Sequence, residues 1–282
     1  MPNLFKSVGI IARYDKKEAL SLAAELSDYL SKRGLEVFLE NTLEGKVKTA
    51  GKLVQLKDMK TDFIITIGGD GTILRSCLSL PKPEPPILAM NLGVRGFLTE
   101  VEPKDACDAV EKTLKGNFQI EKCSKLSASV EGEILPDALN DVVVSGGEPS
   151  KIVYLQIYKD EVPVLTLEAD GVIVATQTGA TGYSLSAGGP VLDPNVDAIV
   201  VTPICSLTTV RSMVFPANSK IRIVSVRPKD MLVLVDGNYR LTLPSKCSCV
   251  TVERSKNVTS FIRFKPEFYS RLKGRLFFKG TG

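Results

Sequence analysis

The sequence predicts an α/β half built on a parallel sheet, followed by an all-β half. Up to residue 117, short apolar β-branched runs alternate with segments of helical spacing, the pattern of strands joined by crossover helices. From residue 118 the texture becomes short β-rich segments separated by turn residues, which describes a sandwich or related all-β domain. A chain of 282 residues is long enough for two domains, or for one large α/β domain.

In the first half, Val8 to Ala12 is an apolar strand. Lys16 to Arg33 follows as a helix, with Ala19, Leu22, Ala23, Leu26, Tyr29 and Leu30 on one face and Gly34 as its stop. Glu36 to Glu40 reads as a second strand and residues 46–58 as a weaker helix. Phe63 to Ile67 is a buried strand and Ile87 to Asn91 a fourth, ending at Leu92-Gly93-Val94-Arg95-Gly96; a helix over 104–115 closes the half. In the second half, strands are expected at 126–131, 141–145, 152–159, 163–168, 172–176, 198–202, 220–226, 231–235, 239–243, 248–253 and 260–264. Thr178 to Pro190 is too rich in Gly, Ser and Thr for a strand and reads as a phosphate- or ribose-facing loop leading into a short helix. No long linker separates the halves, which points to an active cleft between them.

The stretch with the most chemistry is Gly68-Gly69-Asp70-Gly71, between the Phe63–Ile67 strand and a helix over 73–80 for which Thr72 is a plausible N-cap. Glycine lets a ligand reach backbone N–H groups and makes positive φ accessible. A loop running into a helix N-terminus suits phosphate, so Gly68, Gly69, Gly71 and Thr72 are candidate phosphate-binding residues. A carboxylate there would oppose an anion unless it accepts a proton or holds a metal. Asp70 is therefore the candidate catalytic residue; a turn with Asp as a cap is the alternative.

Composition narrows the chemistry. There is no histidine, which excludes Ser-His-Asp, Cys-His and His-metal sites and leaves Asp, Glu, Lys, Tyr or Cys as bases. A net charge of +4 is too mild to argue for nucleic acid but would help attract a polyanionic small molecule. The six cysteines form no CxxC pair, and Cys247 and Cys249 in an alternating run read as packing. Nothing resembles a signal sequence or a membrane span, so a cytoplasmic protein without a membrane partner is expected. Neither a P-loop nor GxGxxG occurs where it should; Gly45 to Lys52 has the wrong gap, with Leu53 where Ser or Thr belongs.

Four segments in this order resemble the NAD kinase family: Gly68 to Thr72, Ala138-Leu139-Asn140-Asp141, Ala169 to Thr176 continuing to Gly189-Pro190, and Thr202-Pro203-Ile204. The resemblance covers roughly residues 5 to 265. It implies the NAD kinase fold, with a Rossmann-like α/β domain (1–117, completed by 266–282) facing a β-sandwich-like substrate domain (118–265). It also implies phosphoryl transfer to the 2′-hydroxyl of the adenosine ribose of NAD, giving NADP. ATP or polyphosphate would be the donor, Mg2+ or another divalent cation the cofactor, and a homodimer or homotetramer the assembly.

By that resemblance Asp70 is the proton acceptor, with a metal anchor as its other possible role, and Gly71 supplies contact room. Arg75, one helical turn on, is a candidate to reach a pyrophosphate oxygen, with a plain surface arginine as the alternative. Asn140 and Asp141 match the pair that holds the nucleotide, Asn at an adenine edge and Asp at ribose hydroxyls; a turn before the strand Val142–Val144 is the alternative. Asp170 would bond the nicotinamide-side ribose or amide. Thr181, Gly182, Tyr183, Ser184, Leu185 and Ser186 match the stretch that wraps the substrate; Asn238 and then Lys151 are weaker matches. The family's Thr-Pro-Thr-Gly-Ser-Thr-Ala-Tyr stands here as Thr176-Gln-Thr-Gly-Ala-Thr-Gly-Tyr183, and Cys205-Ser206 replaces its histidine after Thr-Pro. These departures bear on pocket geometry and on NAD against NADH. Two other readings remain open: a GGDG-type kinase of a lipid or sugar phosphate, and a non-catalytic NADP-binding module.

Overall fold

The structure, a computed structural model, describes residues 4–93, 96–148, 152–245, 249–265 and 268–276. Lys151, Cys247, Val94 and Arg95 lie outside the described residues. The chain divides into two compact units, one of residues 1–123 with 259–282, the other of residues 124–258.

The first unit carries β1 (Ser7–Ala12), α1 (Lys17–Lys32), β2 (Glu36–Glu40), β3 (Lys52–Val54), β4 (Phe63–Gly68), α2 (Asp70–Ser79), β5 (Ile87–Asn91) and α3 (Ala106–Leu114). Its strands are parallel in the order β3-β2-β1-β4-β5. Every residue of β4 is buried, as its β-branched run requires of a strand covered on both faces. Leu22, Leu26 and Leu30 of α1 and Ala109 and Val110 of α3 pack with Phe63, Ile65 and Ile67 in one core. The strand order reverses between β1 and β4, and parallel sheets bind ligands beyond the carboxyl ends of strands at such a reversal. Arg13 and Gly68 to Asp70 stand at that position.

The second unit is β-rich. The strand β6 (Gln119–Val130) leads into it, followed by β7 (Glu133–Ile134), β8 (Asp141–Gly146), β9 (Val153–Lys159), β10 (Val162–Ala169), β11 (Gly171–Ala175), α4 (Tyr183–Ser186), β12 (Ala198–Ile204), β13 (Met213–Pro216), β14 (Ile221–Ser225), β15 (Met231–Val235) and β16 (Tyr239–Leu243). The long β17 (Cys249–Arg263) returns the chain to the first unit, where Phe261 pairs with Ile87, and α5 (Phe268–Leu276) follows. Within the second unit β10, β9, β14 and the start of β17 form one antiparallel ladder. A second antiparallel sheet runs β13-β12-β11-β8-β15-β16.

Three local expectations are corrected. Residues 46–58 are not a helix: Lys52–Val54 is a parallel edge strand on Phe38–Glu40, and only Leu56–Asp58 makes a helical turn. Here non-local pairing overrides weak helical spacing. Thr72 is not the N-cap of α2, because the helix begins at Asp70 with Gly69 capping it. The expected strands at 248–253 and 260–264 belong to a single strand, β17, held by β14 at one end and β5 at the other.

Candidate active site

The Gly68–Gly71 turn keeps ordinary backbone: none of its glycines has a positive φ. A side-chain carbon at Gly69 or Gly71 would meet nothing within 4 Å. Access, not a left-handed turn, is what these two glycines provide. The Asp70 carboxylate is fixed from the other side, where the backbone N–H groups of Phe97 (2.8 Å) and Leu98 (3.1 Å) each donate to one of its oxygens. Gly96 permits that approach, since a Cβ there would lie 2.0 Å from Oδ1 of Asp70. Two donated hydrogen bonds set its orientation.

Beside this turn a cavity of about 290 Å³ is lined by Arg13, Tyr14, Asp15, Gly69, Gly71, Thr72 and Arg75, among others. Arg75 does not project freely into it. Its guanidinium makes a bidentate pair with Glu40 (Nη1 to Oε1 2.5 Å, Nη2 to Oε2 2.7 Å), which raises its pKa further. Arg13 pairs likewise with Asp15. The sequence reading missed Arg13, Tyr14 and Asp15; their place just after an apolar strand beside the sheet's reversal is the signal that finds them.

In the second unit the residues Leu139 to Asp141 and the loop after β11 are laced together. Thr176 N–H donates to the Asn140 carbonyl (2.8 Å) and Thr176 Oγ1 to the Leu139 carbonyl (2.7 Å), while Gly179 N–H donates to Thr176 Oγ1 (2.9 Å). The packing is so close that a Cβ on Gly179 would lie 2.0 Å from the Asn140 carbonyl oxygen. Gly179→Ala should therefore displace Asn140 and lower stability by about 1–3 kcal/mol, measured by thermal melting.

This lacing brings Asn140, Asp141 and Gly182 together, with a Cβ on Gly182 meeting Asn140 Nδ2 at 3.4 Å and Asp141 Oδ2 at 4.0 Å. The Asn140 Oδ1 atom is buried and accepts no hydrogen bond from the described residues. An acceptor left bare in the interior is costly unless a ligand donor meets it. Asp141 is buried, and desolvation, reinforced by the charge of Asp236, pushes its carboxyl up to about 7.

Asp170 and Tyr183 line a second cavity of about 250 Å³ with Val143, Ser145, Glu148 and Arg240 among its walls. Tyr183, Ser186 and Leu185 are exposed or half-buried and accessible to a ligand. Thr181 and Ser184 are instead buried: Thr181 donates to the Thr178 carbonyl and Ser184 bonds Thr202 (2.8 Å). The Asn238 amide is spent on the Asp236 carbonyl (2.7 Å). Asp236 itself was missed, because Asp-Gly between two apolar strands reads simply as a hairpin turn.

Two family models match the chain: an ATP-NAD kinase N-terminal domain over residues 8–118 and an ATP-NAD kinase C-terminal domain over residues 139–264. The chain belongs to the NAD kinase family. It is 40% identical over 272 residues to an NAD kinase of Pyrococcus abyssi, covering 95% of this chain and 98% of that one. It is 41% identical over 273 residues to one of Thermococcus gammatolerans, with the same coverage. Among solved structures, an NAD kinase from Archaeoglobus fulgidus in complex with ATP superposes with a TM-score of 0.79 at 27% identity, over 96% of this chain and 98% of that one. A yeast NADH kinase complexed with NADH shares the fold, with a TM-score of 0.86 at 24% identity over 98% and 89%. As members of that family, chains of this kind are phosphotransferases.

Proposed function

We propose that this chain is an NAD kinase that transfers the γ-phosphoryl group of ATP to the 2′-hydroxyl of the adenosine ribose of NAD. The observation that carries the reading is the Asp70 carboxylate, aimed by two backbone N–H groups next to a turn left open at Gly69 and Gly71. The ribose oxygen attacks the γ-phosphorus, the bond to the bridging oxygen breaks, ADP leaves, and the hydroxyl proton passes to Asp70. Phosphoryl transfer needs that proton removed late, so where the carboxylate stands matters more than its strength as a base. Asn140 and Asp141 are assigned to the adenosine, and Asp170 and Tyr183 to the rest of the dinucleotide. Arg13 and Arg75 frame the side on which phosphates arrive, held in place by their carboxylate partners.

A divalent cation fits this arrangement only as a guest of the substrate. Among the described residues no three His, Cys, Asp or Glu side chains are grouped to hold a metal. Asp15 in the cavity wall, paired with Arg13, and Asp70 at the adjoining turn are carboxylates that would meet an ion carried in by phosphates and water. When bound, Mg2+ would draw charge from the phosphoryl oxygens.

A homodimer or homotetramer and a cytoplasmic setting belong to the same proposal. No helix among the described residues is long and apolar enough to cross a membrane. The test is a matrix of donors (ATP, other triphosphates, polyphosphate) against acceptors (NAD, NADH), with NADP formation read directly. ATP with NAD is expected to give NADP, and no product from any pair would sink the reading.

A further inference from the structure

We propose that Asp236 is a positioning residue for the nucleotide: its carboxylate sets the backbone that presents Asn140 and Asp141. This rests on the assignment of those two residues to NAD. Asp236 lies in the turn between β15 and β16, where Asn238 N–H donates to the Val235 carbonyl (3.1 Å) and both Asp236 (φ 49°) and Gly237 (φ 65°) are left-handed. A primed turn of this kind favours Asp-Gly and projects the Asp side chain in one direction.

The carboxylate accepts three successive backbone N–H groups, from Leu139 (2.7 Å) at Oδ2 and from Asn140 (2.8 Å) and Asp141 (3.0 Å) at Oδ1. In return Asp236 N–H donates to the Asp141 carbonyl (3.0 Å). Both the amide and the carbonyl of Asn140 are thus spoken for, the carbonyl by Thr176, so its side chain leaves the backbone in a fixed direction. A lone turn in need of a cap would not require three N–H groups from a strand 95 to 97 residues away.

The arrangement is also electrostatic. Burial raises the Asp236 carboxyl despite the three N–H donors and the buried Lys125, whose charge lowers it. The groups acting on Asp141 are Asp236 and the desolvating interior. If ionised Asp141 accepts from ribose hydroxyls, NAD binding strengthens as pH rises through about 7. Removing the Asp236 charge relieves repulsion on Asp141 and moves that transition to lower pH.

The experiment is steady-state kinetics and thermal melting of Asp236→Asn and Asp236→Glu beside the wild-type protein, with ATP, Mg2+ and NAD. The amide turns an NH2 group toward one backbone N–H, and the longer Glu puts its acceptors out of register. For either variant, KM for NAD should rise by about tenfold, with kcat and KM for ATP changed less than about threefold. In Asp236→Asn the pH at which KM for NAD changes should move acid-ward. A folded variant with KM for NAD unchanged overturns the proposal. So does a fall in kcat alone, or failure of both variants to fold, since each marks a purely structural role. Wild-type protein that makes no NADP overturns the functional reading instead.

Discussion

Asp70→Asn should reduce turnover by about 10²- to 10⁴-fold, the range a positioned general base contributes, while leaving NAD binding largely intact. The side chain keeps its size, but an NH2 group cannot take the hydroxyl proton. It would also face one of the two backbone N–H groups, from Phe97 or Leu98, that the carboxylate now accepts. The residues assigned to NAD are on other elements, at Asn140, Asp141, Asp170 and Tyr183, and are untouched. Single-turnover rates and equilibrium dialysis separate the two effects. Equal losses in rate and affinity would make Asp70 a binding residue. Recovery of rate at high Mg2+ would make it a metal anchor.

Gly96→Ala should cost about 10²-fold in kcat although residue 96 carries no chemistry. The new Cβ would sit 2.0 Å from Asp70 Oδ1 and 2.6 Å from Cγ. Contact that close is not tolerated, so either the carboxylate or the 96–98 backbone must shift by about 1 Å, a misplacement of the size known to cost that much. Stability should fall by only about 1–3 kcal/mol, as for overpacking elsewhere. A melting curve near wild type with a low kcat and an unchanged KM for NAD is the expected combination. Wild-type kcat in this variant would show that the position of Asp70 is not critical.

The legible parts of this molecule were local in sequence. A β-branched run that stops at Gly-Gly-Asp-Gly announces a buried strand, an open turn and a carboxylate in the nine residues from Phe63 to Gly71. The same holds for Leu22, Leu26 and Leu30, whose spacing alone places them on the buried face of α1. What stayed hidden depends on distant chain. The donors that aim Asp70 are backbone N–H groups of Phe97 and Leu98, and a backbone amide leaves no trace in residue identity. Glu40 is 35 residues from the Arg75 that it clamps. Lys52–Val54 is a strand only because Phe38–Glu40 offers an edge, and β17 runs unbroken through a polar Ser255-Lys256-Asn257 because its two ends are paired. Motif resemblance named Asn140 and Asp141; nothing in the motif indicated that Asp236 holds them.

The most direct test of the account is a crystal structure of the Asp70→Asn protein with NAD bound. The prediction is that the adenosine ribose 2′-oxygen lies within hydrogen-bonding distance, about 3 Å, of the side chain at position 70. A 2′-oxygen held about 10 Å or more away, beyond the reach of a single bridging water or ion, would contradict it.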